Sequence, residues 1–171
     1  MTSTSQTGSD PAVLAVFDTG PLIYLDILGY TSLLEKLYQV VIPPAVVAEL
    51  RQKPGRPGGG VPGLTWVKQQ RPKRKTLRRV HRELTADPGK EEVIALALDL
   101  ASWVVIDERR GRAYASNVGL RLTGTLGILL DIHKSGLAGR TISTELNLLD
   151  ANGMHISSQL KQLVLDQVTT K

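Results

Sequence analysis

Two kinds of apolar pattern alternate along this chain. Short unbroken runs sit between turn-forming residues, and between them lie stretches whose apolar positions recur every three or four residues. The runs Val13–Phe17, Val40–Ile42 and Trp103–Ile106 are too short for buried helices and rich in β-branched residues, so they predict buried strands. Leu64–Val67 and Leu120–Leu122 are read as two further short strands. Helical spacing predicts Leu22–Leu28, a second short helix capped by Thr31 with Leu33, Leu34 and Leu37 on one face, and Ala45–Arg51 opened by Pro44. It continues with about Lys75–Leu84, a helix starting at Asp87-Pro88-Gly89 and running to about Ala101, Arg109–Val118 closed by Gly119, and Leu126–Lys134. Two amphipathic helices, about Thr141–Leu149 and Ile156–Val168, follow, while the Gly/Pro-rich stretch 53–63 is loop. Strands alternating with helices predict an α/β fold, three-layer α/β/α with a parallel sheet of four or five strands.

At 171 residues the chain suits one main unit. Residues 12–138 are expected to form it, 139–171 to add a helical extension packed on it, and the Ser/Thr-rich 1–11 to be a disordered tail. There is no cysteine, which excludes a disulfide framework, thiolate metal sites and a Cys nucleophile. No apolar run approaches the ~20 residues of a membrane-spanning helix, and the start lacks the pattern of a signal peptide, so no membrane contact and a cytoplasmic location are expected.

The net charge of +5 is unevenly spread. Lys68, Arg71, Lys73, Arg74, Lys75, Arg78, Arg79 and Arg82 follow one another with no acid between them. Such a block suits a polyanion, because phosphate contacts release counterions. A solvated basic helix face is the competing reading.

The acids stand in more telling places. Asp18 ends the first apolar run and Asp107 ends Trp103–Ile106. In an open parallel sheet the groups beyond the carboxyl ends of the strands line one crevice, so these acids, far apart in sequence, are expected to meet. Glu49 interrupts an apolar helix face, and Glu91 and Glu92 lie in the first turn of the helix from Pro88, where acids are also ordinary helix-start chemistry. Clustered carboxylates repel unless a cation neutralises them, and hard oxygen ligands favour Mg²⁺ or Mn²⁺.

Other chemistries fit less well. His81, His133 and His155 are isolated, and Gly124-Thr125-Leu126-Gly127 lacks the Lys-Ser/Thr of a phosphate-binding loop. Asp18 has no second Asp two residues on, as an aspartyl-phosphate enzyme would, and no glycine fingerprint of a dinucleotide binder follows the first strand.

Four stretches together resemble the PIN-domain family, in particular its prokaryotic PIN-like branch related to VapC-type toxins. They are Phe17-Asp18-Thr19-Gly20-Pro21-Leu22-Ile23, the stretch Ile42 to Leu50, the stretch Gly89 to Ala97, and Ile106-Asp107-Glu108-Arg109-Arg110-Gly111-Arg112, which continues into a stretch like Gly119 to Gly127. The resemblance spans about residues 13–165. It implies a compact PIN-like α/β/α nuclease, a metal-dependent endoribonuclease with Mg²⁺ or Mn²⁺ held by Asp18, Glu49 and Asp107. It also implies RNA as substrate, a small antitoxin protein as partner, and a homodimer. With the basic block, Lys73, Arg74, Lys75, Arg78 and Arg79 are expected to contact RNA.

One departure stands out. Where the family pattern has Gly-Glu, Gly89 is followed by Lys90, and Glu91 comes one position later. Glu91 shares a helical stripe with Ile94 and Leu98 and is expected to point inward as a fourth catalytic and metal-binding acid. The opposite expectation is that Lys90 disables metal binding, leaving a catalytically inactive PIN-fold module that binds RNA or a partner protein. Arg112 is expected to pair with Glu108.

Overall fold

A computed structural model describes residues 12–52 and 54–169; the expected N-terminal tail lies outside the described residues. Five strands form one all-parallel sheet: β1 (Val13–Phe17), β2 (Tyr38–Ile42), β3 (Lys68–Gln69), β4 (Trp103–Val105) and β5 (Leu122–Thr123), in the spatial order β3-β2-β1-β4-β5. The strand made first is therefore the central one. Val16 pairs with Val41 on one side and with Val104 on the other.

Nine α-helices surround the sheet among the described residues: α1 (Thr19–Ile27), α2 (Leu34–Leu37), α3 (Pro44–Arg51), α4 (Arg74–Leu84), α5 (Pro88–Leu100), α6 (Arg109–Asn117), α7 (Thr125–Lys134), α8 (Ile142–Ala151) and α9 (Ser158–Thr169). Helices α4, α5 and α6 contact one another, and α5 lies against β1 and β4. Helix α1 contacts α7, which meets α9, which in turn meets α8. The result is the expected three-layer α/β/α architecture.

The core is aliphatic. Val16, Phe17, Leu22, Leu25, Ile42, Ile94, Val104, Ile106, Ile128 and Leu129 are all essentially inaccessible. Ile142, Leu146, Leu149 and Val164 of α8 and α9 join the same cluster. A charged knot ties these late helices to the early chain. The fully buried carboxylate of Glu145 accepts from the Tyr30 hydroxyl and bonds to His133 Nε2, and Tyr30 in turn accepts from the Gly139 N–H. No helix among the described residues is long and apolar enough to cross a membrane.

Several boundaries differ from those the sequence predicts. Helix α1 starts at Thr19 rather than Leu22, because Pro21 falls in its first turn, where the missing N–H is not needed. The strand expected at Leu64–Val67 lies instead at Lys68–Gln69, paired with Val41 and Ile42, while Val67 is buried in the core. The last strand is Leu122–Thr123 rather than Leu120–Leu122.

Candidate active site

The carboxyl ends of the two central strands carry the acids. Asp18 is the residue after β1, and its N–H donates to the Val105 carbonyl of β4 at 2.9 Å. Asp107 lies two residues past β4. Glu49 reaches the same place from α3, where the Thr19 hydroxyl donates to its Oε2 at 2.5 Å. Asp18 is buried and Asp107 and Glu49 are half-buried.

Two glycines admit these carboxylates. A Cβ at Gly89, in the first turn of α5, would overlap Glu49 Oε1. A Cβ at Gly124, just before α7, would overlap Asp107 Oδ1. Asp107 is held by the start of α7: it accepts from the Thr125 N–H at 2.8 Å and the Thr125 hydroxyl at 2.6 Å.

The sequence expectation for Glu91 is redirected by the structure. Glu91 does point inward, but into the seam between α4 and α5. Its carboxylate accepts from His81 Nδ1 at 2.8 Å and from the Ala86 N–H at 2.9 Å. A step of about 100° per residue separates its direction from that of its neighbour, and the side chain that goes to the acids is Lys90. The Lys90 ammonium donates to Asp87 Oδ2 at 2.6 Å and interacts electrostatically with Asp18 and Glu49. Asp87, legible in the sequence only as a helix start, is the added acid of the cluster.

The electrostatics follow from this arrangement. Burial pushes the Asp18 carboxyl up to about 6; Glu49 and Asp87 push the same way, while Lys90 and the Thr19 N–H pull it down. Burial works to lower the Lys90 ammonium, but its bond to Asp87 and the charges of Asp18 and Glu49 outweigh that and raise it. For Asp87 the bond to Lys90 likewise outweighs burial, and its carboxyl is lowered.

Among the described residues no three acid, histidine or cysteine side chains already stand close enough to cage a metal ion. The donor chemistry still fits a hard divalent ion. Mg²⁺ is usually held by one or two protein carboxylates and completes its shell with water and substrate phosphates. Glycine at 89 and 124 leaves room for Glu49 Oε1 and Asp107 Oδ1, which a Cβ at either position would overlap.

The expected RNA contacts lie next door. Lys73, Arg74, Lys75, Arg78 and Arg79 are all exposed on or beside α4. Arg79 pairs with Glu83 at 3.5 Å. Arg74, Lys75 and Arg78, joined by Arg82, line a cavity of about 780 Å³ closed by Pro88, Glu91 and Glu92. The first turn of α5 thus borders both places. Helix α4 is held to α5 at both ends, because Asp99 of α5 accepts from the Lys73 N–H and the Thr76 hydroxyl while Glu91 bonds to His81 near the other end. Arg112 does not pair with Glu108. Its guanidinium donates to the Ile106 carbonyl at 2.8 Å, beside Asp107 and Gly124, and Glu108 instead caps α6 through the Arg110 and Gly111 N–H groups.

A family model described as a PIN domain matches residues 14–170. No curated protein matches the chain.

Proposed function

The chain belongs to the PIN-domain family, whose members are generally nucleases, and on that premise we propose that it is a metal-dependent endoribonuclease, the toxin of a two-gene module restrained by a small antitoxin protein. One observation carries the reading. Asp18 and Asp107 stand just past the carboxyl ends of β1 and β4, and Glu49 of α3 bonds to Thr19 and acts electrostatically on Asp18, with Glu49 and Asp107 in glycine cradles. That is where a parallel α/β sheet offers its crevice.

Asp18, Glu49 and Asp107 would hold Mg²⁺ or Mn²⁺. A divalent ion bound there supplies an activated water and neutralises charge growing on a phosphoryl group. The chain's own residues do the rest. Thr19 and Thr125 fix the rotamers of Glu49 and Asp107 by hydrogen bonds, so the carboxylates are set before substrate arrives. Lys73, Arg74, Lys75, Arg78 and Arg79 draw the RNA backbone along α4 toward the shared first turn of α5. The toxin role and the homodimer rest on the sequence resemblance.

The test is a cleavage assay on mixed structured and single-stranded RNA, with wild type and Asp18→Asn side by side, in Mg²⁺, Mn²⁺ and chelator. Metal-dependent cutting that the variant loses is expected. An Asp18→Asn protein that cuts as fast as wild type would refute the assignment. One observation favours a second reading, an inactive PIN-fold module that binds RNA or a partner protein: the ammonium of Lys90 among the acids. Folded wild type that never cuts, with Lys90→Glu gaining metal-dependent cleavage, would select it.

A further inference from the structure

Lys90 breaks a local rule at the start of its helix. It is the third residue of α5, whose cap is Asp87. A cation in the first turn is opposed by the helix dipole, and an acid is preferred there. Departures from local preference are expected at functional sites.

Its ammonium pairs with the cap of its own helix and also acts on the acids beyond it. The Lys90 ammonium bonds to Asp87 and interacts with the charges of Asp18, Glu49 and Glu108. Its side chain is only 21% exposed, so the charge is committed to the site rather than to solvent. Carboxylate clusters that process phosphodiesters often hold two divalent ions ~4 Å apart. Here a cation is already built in on the α5 side.

We propose that the Lys90 ammonium stands in place of a second divalent ion, so that this chain has a one-metal site served by Asp18, Glu49 and Asp107. The inference rests on the nuclease reading above for the identity of the site. Its test contains no RNA, so the two fail separately: a wild type that never cuts RNA removes the ribonuclease reading and leaves the ion count to stand or fall by itself.

The experiment is a calorimetric titration of the full chain with Mn²⁺ alone. Wild type is expected to bind one ion per chain, Lys90→Arg one, and Lys90→Glu two, the number a two-ion clamp requires. Any other count for wild type, or an equal count for wild type and folded Lys90→Glu, overturns the proposal. If Lys90→Glu fails to fold, Lys90→Met decides. Removing a positive charge beside the ion should tighten its single Mn²⁺ at least about tenfold, and an unchanged or weaker affinity overturns the proposal.

Discussion

Replacing Asp18 by Asn should make the metal-free protein more stable at neutral pH, and the size of the gain follows from burial. Asp18 is 5% exposed, and its carboxyl is pushed from the ordinary 3.8 up to about 6, chiefly by burial. The folded protein therefore keeps this proton over a pH range in which the unfolded chain has already released it. Stability from this group is present at low pH and falls as pH rises from about 4 to 6. A tenfold change in proton affinity is worth about 1.4 kcal/mol, so wild type carries about 3 kcal/mol of unfavourable burial at pH 7. Asn has no charge to bury, and allowing for an imperfect fit of the amide, the gain is about 1–3 kcal/mol, or roughly 3–10 °C in Tm. The assay is thermal melting of both proteins in chelator from about pH 4 to 8. Their difference should be near zero at the acid end, grow through pH 5–6 and level off above pH 7. Asp87 and Glu108, held low by their partners, act with the opposite sign, losing stability as pH falls, but they are common to both proteins and cancel. A variant no more stable than wild type at pH 7, or a difference that does not change with pH, would refute the reasoning. Added Mn²⁺ should raise only the wild-type Tm, since binding to the folded state alone stabilises it. Stability given up at an active site in this way is a common trade for function.

Glu91→Ala should lower stability by about 1–3 kcal/mol, because it leaves the Ala86 N–H without its acceptor, yet leave Mn²⁺ binding unchanged; a lost ion in the titration would return Glu91 to the ligand set. Gly124→Ala places a methyl against Asp107 Oδ1 and should cut RNA cleavage at least about tenfold, because overpacking displaces the carboxylate by tenths of an ångström; wild-type rates in the cleavage assay would contradict this. Replacing Arg74, Arg78 and Arg82 together by Ala should reduce the slope of log affinity against log salt for single-stranded RNA by about 2, while Arg79→Ala, whose cation is paired with Glu83, should change it less. Equal slopes for wild type and the triple variant in filter binding would remove α4 from the RNA path.

Much of this fold was legible because strong local signals agreed with the final packing. The β1 run is apolar throughout, and its Ala15, Val16 and Phe17 are fully buried, as the middle of a parallel sheet requires, while Val13 at its start is exposed. Pro44 and Asp87-Pro88 mark helix starts that the structure keeps. β3 was hidden because an edge strand needs only main-chain pairing: Lys68 and Gln69 are exposed and carry no apolar signature, whereas the apolar Val67 before them serves the core. Asp18 and Asp107 were visible as carboxylates closing apolar runs. The direction of Glu91 was not, because one residue's rotation along α5 has meaning only once the position of α4 is known. Asp87 shows the limit in another form. Its role as a cap and its i,i+3 ion pair with Lys90 are local, but the nearness of that pair to Asp18 and Glu49 is a tertiary fact.

The sheet order has a consequence for how this chain is made. The first strand to leave the ribosome is the one destined for the middle, and 85 residues separate Phe17 from Trp103. At ~5–20 residues per second, β1 spends about 4–17 s with one row of backbone donors and acceptors unpaired. An open apolar edge of that kind invites pairing with other chains. Synthesis rate and chaperone supply, rather than final stability, should therefore set the yield of folded protein, and slowed translation of residues 18–102 should lower it.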